Sequence, residues 1–280
     1  MDYQKVTFRL VDAEDFMADI LVALLGNNGF ESFEETTQGI IAYCPAPSFD
    51  ETAMIENITS ALPELKYAYR IETIADQNWN KTWEEHHFEP IEINNRCIIH
   101  SSRKPILKTV PYDIVINPQQ AFGTGTHETT RMMLTYLLDN EIDNKSVLDM
   151  GCGTGVLAIM ASLRGAKHIE AIDIDSWAQK NAEENIRLNA RTNIHVHLGD
   201  ATLLKNKLFD IILANINRNI LLKDMSVYTG VLVPKGQLVM SGFYKNDFAM
   251  IKKEAESLGL IQINYAEDNN WTMGVFEKQV

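Results

Sequence analysis

Three stretches of this chain combine residue types and spacings that can do chemistry around a small ligand. In Val147-Leu148-Asp149-Met150-Gly151-Cys152-Gly153-Thr154-Gly155, an apolar strand pattern runs straight into glycines and then into a helical pattern. Glycines at such a turn let backbone approach a ligand closely and leave helix N-terminal amides open to it. The motif alone is weak, because any tight strand-to-helix turn can produce it. Its context strengthens it: Ala171-Ile172-Asp173-Ile174-Asp175 closes the next strand on a carboxylate, where an acid accepts hydrogen bonds from ribose hydroxyls.

A dinucleotide fingerprint wants a third glycine at position 156, which is Val156, so hydride transfer is disfavoured. The spacing favours S-adenosyl-L-methionine instead. That cofactor has no phosphate; it offers a ribose for Asp173, an adenine, and a methionine ammonium with Asp149 nearby. Asp200, after the third strand, is either a partner of the adenine amino group or a helix cap.

The second stretch, Ala121-Phe122-Gly123-Thr124-Gly125-Thr126-His127-Glu128-Thr129-Thr130, is a glycine- and hydroxyl-rich loop that opens a helix. Such a loop can fold over a ligand and offer amides and hydroxyls to it. It lacks the Gly-Lys-Ser/Thr ending of a phosphate loop, and His127 is read as a hydrogen-bonding residue ahead of a general base. The third stretch, Ile212-Leu213-Ala214-Asn215-Ile216-Asn217, ends the fourth strand. An asparagine there either accepts from and orients an amine or serves a turn. His195 and His197 share a strand face, and His86 adjoins His87, but neither pair has the further ligands that zinc requires. No metal is expected.

These residues need a scaffold that brings strand ends together. From Tyr112 onward strand and helix patterns alternate, which argues for a parallel sheet covered on both faces. The strand candidates are Ser146 to Asp149, His168 to Asp173, Ile194 to Leu198, Phe209 to Ala214, Gln237 to Met240, Leu260 to Tyr265 and Thr272 to Glu277. Helices are expected at Thr154 to Arg164, Ser176 to Asn189 and Asp247 to Leu258. The last two strands adjoin without a helix, so the sheet should end in an antiparallel hairpin. The expected fold class is therefore α/β, a class I methyltransferase with a seven-stranded, mostly parallel Rossmann-like sheet.

Ahead of it, residues 1–76 read as strand, helix, hairpin, helix and strand, the order of a small ferredoxin-like α+β domain. Residues 77–111 read as a linker with some structure of its own, carrying Trp79 and Trp83 and interrupted by Pro90, Pro105 and Pro111. The expected domains are thus a recognition domain at 1–76, the linker at 77–111 and a catalytic domain at 112–280.

The chain has 280 residues and a net charge of -13, and Asp and Glu outnumber Lys and Arg by ten within residues 1–76 alone. A field of that sign repels phosphate backbones and attracts cations, so no direct nucleic-acid substrate is expected and a basic partner is. The plainer account is a solvated acidic face. Three widely spaced cysteines suit free thiols in a cytoplasmic setting. Neither a secretory leader nor a membrane helix is expected.

With AFGTGTHETT, DMGCGTG, AIDID and ANIN assembled, the chain resembles the PrmA family of methyltransferases along essentially its whole length. That resemblance implies S-adenosyl-L-methionine as cofactor, with contacts from Thr130, Gly151, Gly153, Asp173 and Asn215. It also implies lysine ε-amines and the N-terminal α-amine of a basic large-subunit ribosomal protein, number eleven, as acceptors. Asn215 is the residue expected to position the acceptor amine. Two departures stand out: Glu128 where many members have proline, and Asn217-Arg218 where smaller, less polar residues are usual. Both bear on the substrate side of the pocket. The competing readings are a methyltransferase of an exocyclic base amine in RNA or DNA, and a cofactor-sensing protein without turnover.

Overall fold

A computed structural model describes residues 2–11, 16–26, 28–36, 38–74, 88–102, 104, 106, 108–117 and 122–279. Trp79, Trp83, His86, His87, Pro105 and Ala121 lie outside the described residues. The chain divides into two compact units, Met1–Trp79 and Asn80–Val280.

In the first unit, β1 (Tyr3–Val11), α1 (Phe16–Gly26), β2 (Ser32–Thr36), β3 (Gly39–Pro45), α2 (Glu51–Ala61) and β4 (Lys66–Ile74) follow in chain order. The strands form an antiparallel sheet in the order β2-β3-β1-β4, a ferredoxin-like arrangement. Alternation along β1 sends Val6 and Phe8 inward, where they meet Leu21 and Leu25 of α1 and Met54 and Ile58 of α2. The α1 helix leaves Ile20 exposed. Asp50 caps α2, its carboxylate accepting from the Ala53 amide at 3.0 Å.

The second unit opens with β5 (Ile91–Ile93), β6 (Cys97–His100) and β7 (Tyr112–Val115), a three-stranded sheet. Ile93, Cys97 and Ile99 are buried in the core of this unit, together with Ile114 of β7, so residues 77–111 contribute side chains to that core.

The remaining elements are α3 (Glu128–Asp139), β8 (Ser146–Met150), α4 (Val156–Leu163), β9 (His168–Asp173), α5 (Ser176–Leu188), β10 (Ile194–Leu198), β11 (Phe209–Asn215), α6 (Arg218–Gly230), β12 (Leu232–Tyr244), α7 (Phe248–Ser257), β13 (Leu260–Asp268) and β14 (Trp271–Lys278). They build a seven-stranded sheet in the order β10-β9-β8-β11-β12-β14-β13. Pairs from β10 through β12 are parallel, while β14 runs antiparallel to both β12 and β13. The terminal hairpin expected from the sequence is therefore present. Helices α3, α4 and α5 cover one face through Met133, Leu137, Ile159 and Ile186; α6 and α7 cover the other through Leu221, Met225, Tyr228 and Ile251. The central strands β8 and β11 are largely apolar because both their faces are buried, whereas the edge strands β10 and β13 are part-exposed and carry polar residues.

Two elements exceed their sequence patterns. The β12 strand extends over 13 residues, well past the Gln237–Met240 run. The α6 helix begins at Arg218, where Asn217 is the cap: its side-chain oxygen accepts from the Ile220 amide at 3.1 Å. Asn217 therefore has a folding role that explains its polarity.

Candidate functional site

The chain leaves β8 toward β9 and β10 on one side, then crosses to β11 and β12 on the other. A crevice opens at that reversal, beyond the carboxyl ends of the strands, as it does in open α/β sheets generally. All three chemical stretches converge there. A cavity of about 620 Å³ is lined by Phe122, His127 and Thr129 from the loop, Gly151 and Gly153 from the turn, Asp173 from the end of β9, and Asn215 from the end of β11.

The turn after β8 is shaped by close approaches. Gly151 has φ 72°, and a Cβ there would lie 2.2 Å from Cγ2 of Ile216. Gly153 has φ 52°, and its Cβ would lie 2.1 Å from the Phe122 carbonyl oxygen. Only glycine fits where the turn, the strand end and the loop crowd so tightly. Asp173 braces this turn: Oδ2 accepts from the Gly153 amide at 2.9 Å and Oδ1 from the Asp175 amide at 3.0 Å. Each oxygen keeps a further lone pair for a ligand hydroxyl.

Loop and turn are also joined directly. The Thr154 amide donates to the Phe122 carbonyl at 2.9 Å, and Thr154 Oγ1 donates to the Gly123 carbonyl at 2.7 Å. His127 caps α3, its Nδ1 accepting from the Thr129 amide at 3.3 Å, and its ring stands edge-on to Trp271 at 4.7 Å. Its hydrogen bonding thus serves the helix start. Thr130 sits in the same helical turn, fully buried, with no hydrogen-bond partner for Oγ1; it is not among the cavity-lining residues, whereas Thr129 is. Asp200 does two things: it caps the short turn Ala201–Leu204 through the Thr202 amide at 2.9 Å, and it lines the cavity.

His197 and His168 flank the Glu170 carboxylate, and His195 stands near His168 at 5.1 Å between ring centroids. Lys207 reaches the same carboxylate at 3.0 Å. Among the described residues, no group of three or more His, Cys, Asp or Glu is arranged to hold a metal ion.

Among the lining residues that sequence reasoning missed, with Lys223, Asp224 and Gly242, Trp271 is the largest. It opens β14 and lines the cavity, with Tyr244 against it at 4.2 Å between centroids. Its hairpin was legible, but which end of the hairpin reaches the crevice depends on sheet order.

A mostly parallel seven-stranded sheet ending in an antiparallel hairpin, with a glycine turn, a strand-end carboxylate and a strand-end asparagine around one crevice, defines a class I S-adenosylmethionine-dependent methyltransferase. The sequence matches the family described as ribosomal protein L11 methyltransferase (PrmA) over residues 18–279, and the chain belongs to that family. It is 48% identical over 273 residues to a ribosomal protein L11 methyltransferase of Phocaeicola vulgatus, covering 97% of each chain. A relative of the same name in Bacteroides thetaiotaomicron is also 48% identical, over 97% of this chain and 98% of the other. Among solved structures, it resembles the ribosomal protein L11 methylase of Lactobacillus delbrueckii subsp. bulgaricus, with a TM-score of 0.64 at 25% identity, covering 69% of this chain and all of that one. The cofactor is S-adenosylmethionine, as the fold and family require.

The residues present fit that cofactor. Asp173, Asp175, Asp200 and Asp224 line the cavity alongside Lys223, a balance that suits a ligand carrying a sulfonium and an ammonium. Asp149 Oδ1 and Asn215 Oδ1 are both buried without a hydrogen-bond partner in the protein, an arrangement that is costly unless a ligand supplies one. The other Asp149 oxygen accepts from the Ala158 amide at 3.1 Å.

Complete burial, reinforced by the nearby charge of Asp173, pushes the Asp149 carboxyl up to about 7 against the help of the Ala158 amide. A bound cation favours the ionised form and lowers that value. Where the cofactor's positive charge couples to Asp149, binding below about pH 7 would release a proton from it. Cofactor affinity is expected to rise about tenfold per unit as pH increases toward 7 and to level off above it. Calorimetry across pH 5.5 to 8.5 checks this, and the comparison with Asp149→Asn separates the carboxylate from the cofactor's own amine. An unchanged slope in D149N would show that Asp149 does not couple to binding.

Proposed function

We propose that this chain methylates ribosomal protein L11, placing methyl groups on lysine ε-amines and the N-terminal α-amine. The observation that carries the choice of an amine acceptor is Asn215: its Oδ1 is buried and unpartnered at the end of β11, beside the glycine turn. The identity of the acceptor protein is supported by the relatives named above, which share 48% of their residues with this chain over nearly its full length. Those relatives give no comparable support to a base-amine substrate.

When bound, S-adenosylmethionine supplies an electrophilic methyl group. The glycine turn and Asp173 would hold its ribose side, and Asp149 lies under the turn. Asn215 accepts a hydrogen of the incoming amine and fixes the direction of its lone pair. Phe122 and Trp271, with the His127 ring packed against both, line the cavity and would limit water near that amine. This desolvation favours the neutral, nucleophilic form of a lysine. No side chain in this account is needed as a strong base, because the amine proton can leave to water beforehand.

The decisive experiment supplies radiolabelled methyl donor with separated ribosomal proteins and with ribosomal RNA. Label in L11 lysines and its N-terminus is the expected result, read by mass spectrometry; label in RNA alone would overturn the assignment.

The first unit, which contains the acidic segment 1–76, is assigned the recognition of this basic substrate, and residues 112–280 the chemistry. Support comes from the charge, since that segment holds ten of the thirteen net negative charges. A chain beginning at residue 80 is expected to bind cofactor normally yet lose most activity on L11. In the full chain, added salt should raise the substrate KM by screening. Full activity of the shortened chain at low substrate concentration would remove the first unit from recognition. A cytoplasmic setting accords with three free cysteines, all buried. Among the described residues no helix is long and apolar enough to cross a membrane.

A further inference from the structure

Trp271 reaches the cavity from a tight turn that is held from two directions. The turn between β13 and β14 contains Asn269 at φ 48° and Asn270 at φ 69°. Two successive left-handed residues make a stiff hairpin turn, so fixing Asn269 fixes the start of β14 two residues later. On the β12 side, the Lys245 amide donates to the Asn270 carbonyl at 2.8 Å, and Lys245 Nζ pairs with Glu267 at 3.0 Å.

On the other side the turn is tied to the start of α3. Asn269 Nδ2 donates to Glu128 Oε1 at 2.9 Å. Arg131, one helical turn on, pairs with Asp268 Oδ2 at 3.0 Å and donates through its other terminal nitrogen to the Thr126 carbonyl at 2.7 Å. The acidic residue at the first position of α3 is therefore committed to the hairpin. The Asn269 amide also holds the Glu128 carboxyl below the usual carboxylate range. Between these ties the Trp271 ring lies against His127, and both line the cavity.

We propose that Glu128 is a positioning residue: its hydrogen bond to Asn269, backed by the Arg131–Asp268 pair, latches the β13–β14 turn to the active-site loop and sets where Trp271 stands against the acceptor. The link to the acceptor rests on the function proposed above. The latch itself does not. Glu128 makes no direct contact with the glycine turn or Asp173, so losing the latch is expected to disturb the Trp271 side of the cavity more than the cofactor side.

The test uses the full chain labelled with 5-fluorotryptophan, with the Trp271 resonance assigned by Trp271→Phe. Glu128→Ala and Asn269→Ala are each expected to shift or broaden that 19F resonance and to raise the KM for L11 about three- to tenfold, the worth of one hydrogen bond. The cofactor Kd should stay within about twofold of wild type in both, for the same reason that the tie spans only the acceptor side. Glu128→Gln keeps the accepting oxygen and should restore both resonance and KM. Adding N269A to E128A should add nothing, since the Asn269 side chain donates to Glu128, while E128A alone also loses the weaker pairs with His127 at 3.8 Å and Arg131 at 3.9 Å. An unmoved Trp271 resonance in E128A, or an E128Q variant as impaired as E128A, would overturn the latch. If the wild-type chain transfers no methyl group to L11, the functional reading fails while the resonance still decides the latch.

Discussion

Replacing Asn215 by alanine is expected to lower kcat by about ten- to a thousandfold, with a much smaller effect on folding. The reason begins with protonation. A lysine of pKa about 10.4 is neutral in about 4 in 10,000 molecules at pH 7, so reaching its nucleophilic form costs roughly 4.6 kcal/mol. So scarce a species must be caught in a productive orientation, and an accepting oxygen that takes one amine hydrogen leaves the lone pair free to point at the donor.

Asn215 has that oxygen to spare. It is buried, and no protein donor reaches it. A structural alternative would make Asn215 a cap or turn residue, but Asn217 caps the following helix through the Ile220 amide at 3.1 Å. Asn215→Asp is a useful companion: a carboxylate should retain the amine yet hold it protonated, so kcat should fall while substrate still binds. Initial rates at saturating cofactor and substrate decide the matter, with the cofactor Kd measured separately. A wild-type rate in N215A would remove Asn215 from the chemistry.

Asp173→Ala should weaken cofactor binding by about 1.5–3 kcal/mol, roughly ten- to 150-fold, because a charged acceptor for ribose hydroxyls is lost. The structure adds a second reason. Both Asp173 oxygens already receive backbone amides, from Gly153 at 2.9 Å and Asp175 at 3.0 Å, so alanine also releases the glycine turn. Asparagine should recover little, since one end of its amide would present a donor to a backbone N–H. Titration calorimetry showing unchanged affinity in D173A would exclude Asp173 from the site, and a fully active D173N would exclude the bracing role.

Much of the site could be read from sequence because its signals are local. The turn at Gly151 and Gly153, the carboxylate at Asp173 and the polar strand end at Asn215 each follow directly from a strand pattern, and a parallel sheet gathers strand ends at one edge. What could not be read depends on contacts between distant segments. The amide and hydroxyl of Thr154 grip the carbonyls of Phe122 and Gly123, and nothing in the spacing of those residues shows it. Trp271 becomes a wall only once β14 is inserted between β12 and β13.

Asn217 was legible in principle, since asparagine two residues past a strand end is a common helix cap. Its polarity instead reads as a substrate-side departure until the helix at Arg218 is seen. Glu128 is the reverse case. It looks like an ordinary acid at a helix start, and only the fold shows it spending its oxygen on Asn269. The Ile93, Cys97 and Ile99 side chains belong to the main core although the prolines around them suggest a connector.

The crevice between β8 and β11 is a product of route, since the chain departs in one direction from β8 and returns on its far side. No side chain excavates it. A chain that kept this route, its glycine turn and its helix cap would still present a hollow at the same place, with two strand ends and a helix start around it. New chemistries can be tried by replacing lining residues other than Gly151, Gly153, Asp173 and Asn217, which also hold the fold there, whereas moving the hollow would require rethreading the sheet. Descendants of such a scaffold should diverge in what they modify long before they diverge in where they bind.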